Sequence, residues 1–170
     1  MIKVFLRGIL KPLSFLPALF MIFSFSAQPG TISGSLSYKV SEIIVESAND
    51  AFELHWSDAE VVHYTDRIHH TVRKIAHVTE YFLLAISVSF PLYVYGIRGI
   101  WLPLLAGFLC VGFAGLDEYH QSFVAGRGPS VRDVGIDSIG IFIGILMVQF
   151  FCFLGRITIF RPLARHKKRI

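Results

Sequence analysis

Three short stretches carry the side chains from which a reaction or a ligand site could be built. The first is Arg73-Lys74-x-x-His77-x-x-Glu80, whose spacings of three and four put Arg73, His77 and Glu80 on one face of a helix. The second is Asp117-Glu118-Tyr119-His120-Gln121, in which Asp117, His120 and Gln121 share a face. The third holds Arg127 between Gly126 and Gly128, then Asp133 and Asp137 four residues apart. His77 with Glu80, and Asp117 with Glu118 and His120, offer imidazole and carboxylate at helical metal-ligand spacing. The same groups serve as general acid and base without a metal, and this reading is preferred to a divalent ion, which stays open. Arg73, Lys74 and Arg127 suit a phosphate or carboxylate, Arg127 with a bidentate grip. No Ser-His-Asp arrangement and no standard lipid-phosphatase signature is legible.

The elements that must position these residues follow from composition. Of 170 residues, 54% are hydrophobic and only 16% charged. Mean hydropathy is +0.59. Too little polar surface remains to cover a soluble globule of this size, so an all-α polytopic membrane protein is expected, forming a single domain over 1–170. Four segments have the roughly 20 mostly apolar residues that a spanning helix needs: about 8–26, 75–95, 100–118 and 134–155. The first is taken as a retained anchor rather than a cleaved signal peptide. The candidate residues then lie at the outer ends of spans two, three and four. Ionisable residues there are expensive and functional by default. The bland alternative is a network of Arg73, Arg127 and Arg132 with Glu80, Asp117, Asp133 and Asp137 that only holds helix ends together.

Charge sets the expected orientation. Ten Lys and Arg residues and no acid fall on the side of the two termini, and six bases with all twelve acids fall on the other. The positive-inside rule puts both termini in the cytoplasm. The basic tail 156–170 is expected to contact anionic lipid, and nucleic acid is not an expected partner. Cys110 and Cys152 sit inside apolar runs and read as small hydrophobes. The outer connection 27–73 is expected to hold amphipathic helices, lying on the membrane or packed on the bundle. Val40, Ile43, Ile44, Ser47, Ala51 and Phe52 lie near one face of the first. Ser57-x-x-Glu60 reads as a capping box opening the second. Tyr81, Tyr93, Tyr95 and Trp101 read as interfacial belt residues. Gly140-x-x-x-Gly144 permits close helix approach.

The stretches RKIAHVTEYFLL at 73–84 and GLDEYHQSFVAGRGPSVRDVGIDSIGIFIG at 115–144 resemble the VanZ-like family of small bacterial membrane proteins. The exit from span one, FSFSAQPG at 23–30, is similar to that family too, and Gln28 there joins the ligand-binding positions. The resemblance carries over onto Arg73, Lys74, His77, Glu80, Asp117, Glu118, His120, Gln121, Arg127, Asp133, Asp137, Gly140 and Gly144. Asp137 stands where many relatives carry Asn, and loop 31–66 carries no family motif. The eponymous member is associated with teicoplanin resistance, which implies a place in the bacterial inner membrane.

Two functions follow as expectations. In the first, an extracytoplasmic polar cavity binds an anionic envelope lipid or a cell-wall-related ligand, with a link to glycopeptide resistance. Arg73, Lys74, Gln121, Arg127, Asp133, Asp137 and Gln28 would bind the ligand. In the second, a membrane-embedded hydrolase or transferase acts on a lipid-linked precursor through His77, Glu80, Asp117, Glu118 and His120.

Overall fold

A computed structural model describes residues 15–128 and 130–157. These residues form five helices: α1 (Leu16–Ser26), α2 (Gly30–Ala51), α3 (Asp58–Tyr95), α4 (Trp101–Gln121) and α5 (Val131–Ile157). The all-helical expectation holds. Three of the helices, α3, α4 and α5, are long and apolar enough to cross a membrane, and α1 is a shorter apolar helix. The start of span one at residue 8, with Lys3, Arg7 and Lys11, lies outside the described residues, as does the basic tail beyond Ile157.

Span two and the helix before it are one element. α3 runs 38 residues, about 57 Å at 1.5 Å per residue against a hydrocarbon core of about 30 Å. Its polar first half, 58–74, therefore lies beyond the hydrocarbon. The helix passes through Pro91, whose ring removes the bond to the carbonyl four residues earlier, a loss that spanning helices tolerate. The expected capping box is present at its start. The backbone N–H and hydroxyl of Ser57 both donate to Glu60 Oε2, at 2.9 and 2.8 Å. These bonds favour the ionised form and hold the Glu60 carboxyl below its ordinary value of 4.5. A depressed carboxyl contributes stability that is complete above the ordinary pKa and is lost as pH falls through the lower folded-state value. A pH titration of Trp56 fluorescence in neutral detergent is expected to show this fraying below pH 4.5, and Glu60→Gln is expected to abolish the transition.

α2 runs back along the N-terminal half of α3. Tyr38 meets the His69 ring at 6.0 Å, and Asn49 Oδ1 accepts from the Trp56 N–H at 2.9 Å, so the two helices form an antiparallel hairpin. Val40, Ile43, Ile44, Ser47, Ala51 and Phe52 share a face as expected, but that face is exposed. The face against α3 is the one carrying Ser41 and Val45, opposite the buried Thr65. Small side chains let the backbones approach, and the Ser41 hydroxyl is satisfied locally by the Ser37 carbonyl at 2.7 Å.

Within the spans, the core is Tyr81, Leu84, Ala85 and Val88 of α3 against Ala106, Cys110 and Ala114 of α4 and Ile141 and Ile145 of α5, with Ile22 of α1. α3 and α5 share the broadest interface. Gly140 and Gly144 make it possible. A Cβ on Gly140 would stand 2.1 Å from the Val78 carbonyl oxygen, and one on Gly144 would stand 2.7 Å from that of Phe82.

Candidate functional site

The C-terminal ends of α1 and α4 and the middle of α3 meet at Asp117, which is 3% exposed. Its Oδ2 accepts three hydrogen bonds, from Ser26 Oγ of α1 at 2.7 Å, Tyr81 OH of α3 at 3.1 Å and Gln121 Nε2 of its own helix at 2.9 Å. Three donors on one carboxylate oxygen make this a charge-assisted hub. Burial overturns the reading of Tyr81 as a belt residue. Tyr81 lies on the same helix face as Leu84, Ala85 and Val88, so it points inward with them, and its hydroxyl finds a buried partner. That spacing was the available signal. Ser26 was missed too, and nothing local marks it.

Arg127 ties the loop between α4 and α5 to this hub. Its Nε donates to the Gln28 carbonyl, one terminal nitrogen to Gln121 Oε1 and the other to the Phe25 carbonyl, each at 3.0 Å. Phe25 is among the last residues of α1, whose terminal carbonyls lack intrahelical partners. Arg127 therefore adds a side-chain donor to the C-terminal end of α1, beside the backbone N–H of Gln28 on the same Phe25 carbonyl. Burial and the Arg73 guanidinium push its pKa below the ordinary value, opposed by Asp117, Glu80 and Glu118, and it stays charged. Next to it the Gly30 N–H donates to the Ala125 carbonyl at 3.0 Å. A Cβ on Gly30 would meet the Gly126 carbonyl oxygen at 2.1 Å, and Gly126 itself has φ +75°, a left-handed conformation suited to glycine.

The remaining candidates surround the hub. His77 Nδ1 lies 3.7 Å from Glu80 Oε2. The His120 ring packs on Phe23 with centroids 4.5 Å apart. Glu118 Oε2 accepts from the Ser130 N–H at 2.9 Å, ahead of α5. Lys74 pairs with Asp133 at 3.2 Å on the exposed rim. Asp137 is buried on α5 near the carboxylates of Glu118, Asp133, Asp117 and Glu80. Gln28 contributes its carbonyl and is half-buried.

Among the described residues, three buried atoms here have no hydrogen-bond partner: Glu80 Oε2, Asp117 Oδ1 and His120 Nδ1. Arg73 is likewise without a hydrogen bond or ion pair among the described residues, although it stands close enough to Arg127 and His77 to interact with both charges. Among the described residues, no group of three His, Cys, Asp or Glu stands in metal-holding geometry.

The sequence matches the VanZ/LLP1 family over residues 13–153. The chain belongs to the VanZ/LLP1 family. The match covers the helices that contribute to this cluster and stops just short of the end of α5. No curated protein and no solved structure is similar to the chain at a significant level.

Proposed function

We propose that this VanZ/LLP1 protein binds the anionic headgroup of an envelope lipid or cell-wall-related ligand at the outer ends of the spans, where α1, α3, α4 and α5 converge. The observation that carries the reading is Arg73. It is a half-buried guanidinium with no counter-charge paired to it among the described residues, beside a second guanidinium that is already committed to carbonyls. Two neighbouring cations with one uncompensated favour an anion between or beside them. Glu80 Oε2 and Asp117 Oδ1 are acceptors awaiting donors, so the ligand presents hydroxyl or amine hydrogens next to its phosphate or carboxylate. Lys74, whose partner Asp133 is on the exposed rim, is available to the same anion.

The orientation belongs to the same proposal: both termini in the cytoplasm of a bacterial inner membrane, with the site facing outward. So does the link to teicoplanin, whose acyl-bearing tail would lie between apolar span walls.

The test is lipid content by native mass spectrometry of detergent-purified protein. Arg73→Gln is expected to lose bound anionic lipid at least about tenfold with an unchanged melting temperature, because Arg73 holds nothing in the fold, and Arg73→Lys to retain part of it. Equal lipid on wild type and Arg73→Gln would refute the assignment. A second reading, a hydrolase or transferase, is favoured by the His77–Glu80 pair and the unpartnered His120 Nδ1. It predicts turnover of a lipid-linked precursor that His77→Ala and His120→Ala each abolish while lipid still binds.

A further inference from the structure

We infer that the exposed face of α2 docks a basic amphipathic helix of a partner on the extracytoplasmic side, separately from the headgroup site. Leu36, Val40, Ile43 and Ser47 follow one another at spacings of four, three and four, the seam by which one helix receives another. The apolar members are open to solvent, with Leu36 61% and Ile43 53% exposed. Ile32 and Ile44 widen the stripe. Among the described residues nothing covers it, since α2 meets α3 through Ser41 and Val45.

Charge and position select the occupant. Glu42, Glu46 and Asp50 run along one edge of the stripe, against Lys39 as the single base of α2. Beyond that edge lies an open groove of about 450 Å³ between the two helices, lined by those three acids, Asp58, Trp56 and Val62 among others, and by no base. A partner must therefore combine apolar residues at helical spacing with a basic flank.

A parallel second copy fits poorly, because in-register seams bring Asp50, the next seam position, against Asp50. A bilayer surface fits poorly too. Helices that lie on membranes carry Lys and Arg on the polar side, whereas this one carries acids. The antiparallel pairing also sets Ile43 opposite the region of His63, twelve residues up α3 from Ile75 and about 18 Å along the helix axis, and Leu36 opposite the region of His70, about 8 Å up.

The experiment uses the full chain in neutral detergent or in nanodiscs. The probe is a fourteen-residue Leu/Lys amphipathic helical peptide, with a Gly/Ser-spaced lysine peptide of equal charge as control. The wild type is expected to bind the amphipathic peptide at least about tenfold more tightly than the control. Leu36→Asp with Ile43→Asp adds negative charge, so simple attraction would tighten binding, whereas loss of the seam is expected to weaken it about tenfold. Glu42→Gln with Glu46→Gln is expected to weaken it several-fold. Tighter or equal binding by the Asp variant, or no preference for the amphipathic peptide, overturns the proposal. So does a disulfide-linked homodimer of Ile43→Cys, which would make the occupant a second copy. Quenching of Ile43→Trp fluorescence by brominated lipid would put the face on the bilayer and overturn it as well. Lipid content of the Asp variant, read in parallel, is expected to stay at the wild-type level, and the peptide experiment stands or falls independently of Arg73.

Discussion

Gly140→Val is expected to leave little folded protein in a detergent extract. The Cβ position at 140 lies 2.1 Å from the Val78 carbonyl oxygen, 3.0 Å from its carbon and 3.2 Å from the Phe82 nitrogen. All three obstacles are backbone of a helix, so no side chain can swing aside. Overpacking a core typically costs about 1–3 kcal/mol, and more when the neighbour cannot yield. Against a total stability of about 5–15 kcal/mol, the loss is a large fraction. Separating α3 from α5 would also draw Asp137 away from the polar cluster it faces. Gly144→Val is expected to behave alike, since its Cβ would meet the Phe82 carbonyl oxygen at 2.7 Å and the Ala85 methyl at 3.0 Å. Gly135→Ala on the same helix has open space around it and is expected to be neutral or stabilising by up to about 1 kcal/mol, the helix propensity difference. Fluorescence-detected size exclusion after a temperature ramp separates these outcomes. Equal melting of Gly140→Val and Gly135→Ala would show that α3 and α5 do not pack through this seam.

Asp117→Ala has the second largest expected effect. One substitution deprives Ser26 Oγ, Tyr81 OH and Gln121 Nε2 of their shared acceptor at once. A buried donor left without a partner costs about 1–3 kcal/mol, although hydrogen bonds inside membrane proteins average nearer 0.6 kcal/mol. Gln121 Nε2 keeps Ser26 Oγ as an acceptor at 3.2 Å, so two donors are orphaned and the cost is about 1–4 kcal/mol, with α1 the helix most weakened, because Ser26 loses its acceptor there. Asp117→Asn keeps the volume and an acceptor and is expected to fall between the two. Double-mutant cycles of Asp117→Asn with Ser26→Ala and with Tyr81→Phe are expected to show coupling of about 0.5–1.5 kcal/mol. Unchanged melting of Asp117→Ala together with lost lipid would move Asp117 from scaffold to ligand contact.

Much of this arrangement was legible in one dimension. The spacing of Arg73, His77 and Glu80, of Asp117 and Gln121, and of Gly140 and Gly144 reads directly as helix faces, and in the structure Asp117, Gln121 and Arg127 do meet. What the spacing left open was the use of each group. Arg127 has the chemistry of an anion ligand, yet three of its hydrogen bonds go to Phe25, Gln28 and Gln121. Arg73 has the same chemistry and is the one left over. Only the position of the end of α1 separates the two roles, and no periodicity encodes it. Ser26 and Tyr81 are decided by the same meeting of helix ends.

Composition and hydropathy alone thus determined an all-helical membrane chain, the approximate spans and the crowding of ionisable residues at one set of helix ends. Tertiary structure decided how each helix is rotated about its axis. The physical reason is that lipid tails are as apolar as leucine. Along a spanning helix the side facing lipid and the side facing its neighbours have similar hydropathy, as exposed Phe142 and buried Ile141 on α5 show. The same ambiguity extends to α2, where an apolar stripe faces outward while Ser41 packs inward. Small residues that allow backbones to touch, and polar atoms that must find partners, break the tie, and both act only when two helices are already side by side.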